Sequence, residues 1–365
     1  MVRAARPPHS CLGEPALKVF DGHNDALLRI YQDPTPATFE AFLKGGSSLH
    51  IDLAKARTGG LVGGLFAIFP PSQMAGDLAD LLSGPGYDLP LPDPLAHPVG
   101  ADSTIAMASI LLRLEKASKG GLTVCRSVAE IEAAIARGSL AAVLHIEGAE
   151  AIGPDLHMLD VLYAAGLRSV GMVWSRNNHF AHGVPMRFPS SPDTGPGLLE
   201  PGRRLVKRCN ELGVLLDLSH LNERGFWDVA ELSDAPLVAT HSNVHALCPV
   251  SRNLTNEQLD AVARSRGVVG LNFATAFLRE DGRMDPDTPL DTMRRHLDAL
   301  LERLGEEGVA LGSDFDGATI PNAIGSSAGL PALIEHLAAA GYSEALIERI
   351  GWRNWLSVLD RTWKA

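Results

Sequence analysis

The chain has 365 residues, 45% of them apolar and 21% charged, with a mean hydropathy of +0.06, which are ordinary values for a soluble globular protein with material for a large core. A net charge of −11 and a pI of about 5.6 argue against nucleic acid or an anionic membrane as partner, because both reward basic patches. No run approaches the roughly 18 apolar residues that a membrane-spanning helix needs.

Residues 1–16 carry Arg3 and Arg6 but no apolar stretch, so they read as a peripheral segment without a secretory signal, and a cytoplasmic location is expected. Short β-rich runs, bounded by Gly or charged residues, then follow near 17–21, 61–68, 140–146, 168–174, 213–219, 236–240, 267–272 and 308–313. Residues 30–60 read as a helix-and-loop insertion after the first run. Helical patterns lie at 103–118, 127–137, 155–165, 198–212, 223–233, 256–265 and 287–305, with further C-terminal helices at 329–340, 343–350 and 352–363. Several strand candidates are apolar almost throughout, which suits a parallel sheet covered on both faces. Strand and helix alternate from end to end. The expected fold class is therefore α/β, a (β/α)8 TIM barrel forming a single domain over 1–365 with loop insertions. An open doubly wound sheet is the alternative, but no Gly-x-Gly-x-x-Gly turn follows the first strand. Gly- and Pro-rich loops are expected at 84–100, 183–202 and 315–330, the last two walling or covering a site at the strand ends.

The four cysteines, Cys11, Cys125, Cys209 and Cys248, show no Cys-x-x-Cys spacing and read as scattered free thiols. Asn253-Leu254-Thr255 matches a glycosylation sequon, a pattern common by chance.

The strand ends carry the chemistry. The first run opens into Asp21-Gly22-His23-Asn24-Asp25, and a His-x-Asp pair at a strand end can turn both side chains to one ion. Glu147 closes the third run, and its two oxygens can bridge two metals. His220 and His241 end consecutive runs, close enough to share an ion, and Asp314 follows the eighth. Imidazole and carboxylate donors suit zinc and its first-row neighbours. The predicted metal ligands are thus His23, Asp25, Glu147, His220 and His241. Two ions sharing a water would lower its pKa towards ~7, and Asp314 would carry the proton to a leaving group. His145 points to the same side as Glu147 but deeper, as a core or supporting histidine. Asp316 points elsewhere and reads as a loop or helix cap.

These motifs resemble those of the membrane dipeptidase (renal dipeptidase) family within the amidohydrolase superfamily. The resemblance runs from about residue 17 to 360 and rests on Asp21-Gly22-His23-Asn24-Asp25, Glu147, Asp217-Leu218-Ser219-His220, Thr240-His241-Ser242-Asn243, Cys248-Pro249 followed by Ser251-Arg252-Asn253, and Gly312-Ser313-Asp314-Phe315-Asp316-Gly317. It implies a (β/α)8 barrel and two Zn²⁺ per chain, other divalent first-row metals being possible. Glu147 would bridge them, with His23 and Asp25 on one ion and His220 and His241 on the other. It further implies Asp314 as the proton-transfer residue, Arg252 as the grip on the substrate's C-terminal carboxylate, and a homodimer. One departure stands out. Trp174 occupies the place of the family histidine that polarises the scissile carbonyl, so Trp174 would shape the substrate pocket, and His179 and His182 are the nearby candidates for the missing role. Arg176 either reads a substrate side chain or pairs with a loop carboxylate.

The expected activity is zinc-dependent hydrolysis of dipeptides, with a D-residue accepted at the C-terminal position as the resemblance implies. The partner is a small dipeptide-like substrate, with no nucleic acid and no membrane. The first alternative is another amidohydrolase acting on N-acyl amino acids or lactams, for which Trp174 speaks. A phosphoesterase and a non-enzymatic binding protein are further alternatives; Arg252 argues against the first and the intact set of chemical residues against the second.

Overall fold

The computed structural model describes residues 18–72, 76 and 78–364, so Cys11 and the segment 1–16 lie outside the described residues. All eight predicted runs form strands: β1 (Val19–Asn24), β2 (Leu61–Ile68), β3 (Leu140–Glu147), β4 (Leu167–Gly171), β5 (Leu215–Asp217), β6 (Val238–Ala239), β7 (Val268–Asn272) and β8 (Val309–Gly312). Each pairs in parallel with the next. The sheet then returns to its start. Asp314 N donates to His23 O at 3.0 Å and Asp25 N to Phe315 O at 2.8 Å. The Asp21 carboxylate accepts Ser313 N at 2.7 Å and Ser313 Oγ at 2.8 Å, so a side chain closes the seam where the two strands' own ladder gives out. The result is a nearly closed barrel of eight parallel strands with helices between them, a (β/α)8 barrel, which excludes the open doubly wound sheet.

Period-two alternation divides the strand residues between two cores. Phe20, Leu65, Val143, Leu215, Val238, Val268 and Ala310 pack with Trp352, Trp355 and Leu359 of the C-terminal segment. Their neighbours Val19, Phe66, Leu144, Leu216, Ala239, Val269 and Val309 pack with the outer helices. The first set fills the barrel near the strand starts, and Trp355 rises into it, its Nε1 donating to Leu311 O at 2.9 Å. Glycines make the room. A Cβ on Gly22 would lie 2.3 Å from the Trp355 ring, and one on Gly270 would lie 2.0 Å from Thr240 O and 3.0 Å from that ring.

Three features differ from expectation. The stretch 84–100 is not loop throughout, because the helix His97–Ser118 begins inside it. Pro98 sits in the first turn, where no amide donor is needed, and Gly100 is small because a Cβ there would press on Glu150 at 2.7 Å. A short strand, Leu122–Val124, pairs with the first half of β3. Tyr87–Asp88 and Arg187–Phe188 form a small antiparallel pair that ties two of the predicted loops together. The insertion after β1 carries helices Ala26–Gln32, Pro36–Lys44 and Leu53–Gly59. Among the described residues no helix is long and apolar enough to cross a membrane. Cys125, Cys209 and Cys248 are buried free thiols, each pushed up to about 12 by burial. Asn253 of the sequon is buried too, its amide donating to Cys248 O and Phe277 O.

Candidate metal centre and cleft

The strand ends bring the predicted side chains to one place. On β3 the inward row Ala141, Val143, His145 and Glu147 climbs the barrel, so Glu147 stands at the rim. His23 and Asp25 leave the end of β1, His220 follows β5 and His241 follows β6, and all are buried. His220, Asp314 and Asp316 take left-handed backbone, with φ of +65°, +59° and +70°. Such residues cost on the order of 1–3 kcal/mol each and persist only where the surroundings impose them.

Glu147 is the hub. Its Oε1 lies 3.0 Å from His220 Nε2 and 3.3 Å from His241 Nε2, and its Oε2 lies 3.8 Å from His23 Nε2. His23 Nε2 is 3.3 Å from Asp25 Oδ2, and the His23 ring stacks on His241 with centroids 3.8 Å apart. Ligand-type atoms of His23, Glu147 and His241 fall within 4.8 Å of one another, as do those of His23, Asp25 and Asp314. Both ring nitrogens of His23, Asp25 Oδ1 and Glu147 Oε1 are buried without a hydrogen-bond partner. Native interiors rarely leave such groups unpaired, and divalent cations among them would satisfy the carboxylate oxygens and one nitrogen of His23. The charges agree. Burial pushes the Glu147 carboxyl up to about 8, and it holds His220 and His241 well below the ordinary imidazole range, hence neutral. Burial also works against a charge on His23, but Glu147 and Asp25 outweigh it and raise that imidazole to about 10. Positive charge is thus favoured among these acids, and the imidazole and carboxylate donor set fits a first-row metal.

Hydrogen bonds fix which lone pairs face the cluster. Thr240 Oγ1 donates its only proton to Asp217 Oδ2 at 2.5 Å. At 2.8 Å from His241 Nδ1 the same oxygen must therefore accept, which places the imidazole proton on Nδ1 and leaves the Nε2 lone pair towards Glu147. Asp217 is held in turn by Thr240 N and Ser219 N. Ser175 Oγ meets His220 Nδ1 at 3.0 Å. His145 lies below the cluster, with Nδ1 2.9 Å from Ser169 Oγ and Nε2 3.7 Å from Asp217 Oδ2. The sequence alone assigns no role to Asp217, Thr240 or Ser175, although Asp217 and Thr240 stand in motifs that carry the family resemblance.

Above the cluster is a cleft of about 230 Å³, with Asp25, Glu147, His220 and Asp314 at its floor and Phe69, Trp174, Met186 and Phe277 on its wall. Asp314 Oδ2 accepts from Asn272 at 3.0 Å. Gly317 sits so close that a Cβ there would lie 2.1 Å from Asp25 Oδ2 and 2.6 Å from Asp314 Oδ1. Arg252 is buried and is not among the residues that line the cleft; it gives NH1 to Ser242 Oγ and NH2 to the His241 carbonyl, while Nε has no partner among the described residues. Trp174 leans on Phe69, centroids 5.0 Å apart, and faces His220. His179 and His182 do not line the cleft; they meet the carbonyls of Ile152 and Gly197 at 2.9 and 3.2 Å. Arg176 is a buried partner of Glu150 at 2.9 Å, which decides between its two readings. Asp316 accepts from His50 N and Ile51 N, fastening the insertion to the loop after β8.

The profile of the membrane dipeptidase family (peptidase family M19) matches residues 14–365. The uncharacterized protein in the pqqA 5′ region of Klebsiella pneumoniae is 52% identical over 256 residues, covering 70% of this chain and 94% of that protein. Two solved structures superpose with TM-scores of 0.93 at 51% identity. One is the metallopeptidase "dipeptidase AC" of family M19, with 96% of this chain and all of that chain (100%) covered. The other is a metallopeptidase from Rhodobacter sphaeroides liganded with a phosphinate mimic of the dipeptide L-Ala-D-Ala, with 95% of this chain and 99% of that one covered. A match over nearly the whole sequence, with the fold and cluster described above, shows that the chain belongs to the membrane dipeptidase family of metallopeptidases.

Proposed function

We propose that this protein is a zinc dipeptidase with two ions per chain, held by His23, Asp25, Glu147, His220 and His241. The carrying observation is the convergence of unpartnered buried atoms from β1 and β3 with the histidines after β5 and β6, in a set that a cation completes. When bound, such ions polarise the scissile carbonyl and lower the pKa of the attacking water. The chain's own groups do the rest. Asn272 occupies Asp314 Oδ2, and the carboxylate takes the proton of the attacking water and delivers it to the departing amine. Arg252, next to His241, receives the substrate carboxylate through its unpartnered Nε side. The Trp174 wall excludes water and packs a substrate side chain. A D-residue at the C-terminal position is consistent with the L-Ala-D-Ala mimic held by the R. sphaeroides relative.

The test is metal content by elemental analysis together with turnover of dipeptides carrying L- or D-residues at the C-terminal position. Two equivalents of zinc and turnover that chelation abolishes are expected. Two bound metals with N-acyl amino acids cleaved and every dipeptide left intact would replace this reading with the other amidohydrolase one, for which Trp174 in the carbonyl-polarising place is the specific observation.

A further inference from the structure

Arg29 lines the cleft above the candidate metal centre and also an adjoining chamber of about 470 Å³. It lies in the helix Ala26–Gln32, which starts directly after Asp25, and its N–H bonds back to Asp25 O at 3.2 Å. Residues four apart share a helix face, so the side chain stands one turn above that carboxylate. Charge at the end of a short helix accounts for a cation here but not for its place on the cleft wall.

Among the described residues, Arg29 is in no ion pair and its guanidinium in no hydrogen bond. Arg29 is exposed; burial raises the Asp316 carboxyl and lowers the His50 imidazole, and the nearby Arg29 charge pulls both down. Asp25 faces His23 at 3.3 Å, Asp314 accepts from Asn272, and Asp316 accepts from His50 N and Ile51 N. The two spaces that meet at Arg29 differ in chemistry. The cleft wall is aromatic and thioether, whereas the chamber, which shares Leu78, Met284 and Asp316 with it, adds the polar groups of Ser48, His50, Thr319 and Asn322. A dipeptide has two side chains to place, and this division offers an apolar wall to one and a more polar chamber with an exposed guanidinium at its entrance to the other.

We propose that Arg29 reads a carboxylate on one side chain of the substrate, so that the preferred dipeptides carry Asp or Glu at one position and an apolar side chain at the other. The inference rests on the dipeptidase reading above. A guanidinium meets a carboxylate in a planar two-bond fork that an amide of the same shape cannot match. Discrimination between acid and amide is then on the order of ten- to a hundredfold in kcat/KM.

The experiment compares kcat/KM of the zinc-loaded enzyme for matched pairs, Asp against Asn and Glu against Gln, at each position of an alanine dipeptide. The same pairs are then run on R29M, R29K and R29E. The expected result is a preference for the acid at one position, carried mainly by KM and weakened by salt. It collapses towards unity in R29M, survives in part in R29K, and reverses towards Lys-containing dipeptides in R29E. Equal treatment of acid and amide by the wild type, or an unchanged preference in R29M, overturns the assignment while cleavage of neutral dipeptides leaves the dipeptidase reading standing. Failure to cleave any dipeptide sinks both.

Discussion

Thr240 has one hydroxyl proton, and the structure commits it to Asp217, so His241 has no choice of tautomer. Thr240→Val removes both bonds at nearly constant volume. Metal affinity should fall about 10- to 100-fold, the usual cost of losing a partner that orients a metal-binding histidine, and Thr240→Ser should restore most of it. A competition titration with a chelating dye reads this without reference to activity, and an unchanged affinity in the valine variant would refute the tautomer argument. Asp314→Asn keeps the shape but gives up the base. It should retain its bound metal and lose about 10²- to 10⁴-fold in kcat; retained turnover would move the proton transfer to another group. At this scale the sequence was legible where a side chain follows an apolar run, since the run fixes both the strand and the end at which the side chain emerges. His23, Glu147, His220, His241 and Asp314 are of that kind. It was not legible where a loop decides. His179 and His182 have the right chemistry for a catalytic loop, but their rings turn to the carbonyls of Ile152 and Gly197. Arg176 meets Glu150 from a loop on the far side of a helix and a strand, a pairing that the periodicity of those elements does not encode.

Packing between elements explains the small residues in the strands. Trp355 fills the barrel only because Gly22 and Gly270 lack side chains, so Trp355→Ala should cost about 3–5 kcal/mol, read as a drop in denaturant midpoint. The helix Leu290–Leu304 is pinned differently, by His296, whose Nδ1 accepts from Val244 N while Nε2 donates to Leu278 O. The Val244 bond needs the neutral ring, since a protonated Nδ1 cannot accept, whereas the Leu278 bond survives protonation; burial lowers the ring's pKa from 6.5 to about 4. The unfolded chain therefore binds a proton first as pH falls. The contribution is complete above about pH 6.5 and declines by about 1.4 kcal/mol per pH unit until about pH 4. Thermal melts between pH 7 and pH 4 should show this decline, and His296→Gln should flatten it; an equal slope in the variant would assign the acid lability elsewhere. The eight strands and the helices between them were legible from apolar runs and 3.6-residue periodicity. The start of the His97–Ser118 helix was not, because Pro98 and Gly100 look like loop residues and serve as a first-turn proline and a contact with Glu150. The pairing of Tyr87–Asp88 with Arg187–Phe188 was hidden for another reason, since two-residue strands show no alternation.

For the molecule as a whole, the candidate metal centre joins β1, β3, β5 and β6, so any cation bound there braces the barrel across its mouth. Because it binds the folded state alone, a ligand at a thousand times its Kd should add about 4 kcal/mol. Chelation should accordingly lower the melting temperature and increase proteolysis of the loops at the strand ends, and an unchanged melt would show that the barrel does not depend on the ion. The Asp21–Ser313 seam has a further consequence, for the time the fold takes to form. Its two residues are 292 apart in sequence, and none of the intervening helices can bring them together locally. Chain-closure entropy must be met before that contact gives anything back, which is the circumstance in which folding is slow and sheet edges stay exposed. During synthesis β1 leaves the ribosome with one edge unpaired and waits for nearly the whole remaining barrel before β8 covers it, so yield in cells should respond to chaperone supply more strongly than to the stability of the finished protein.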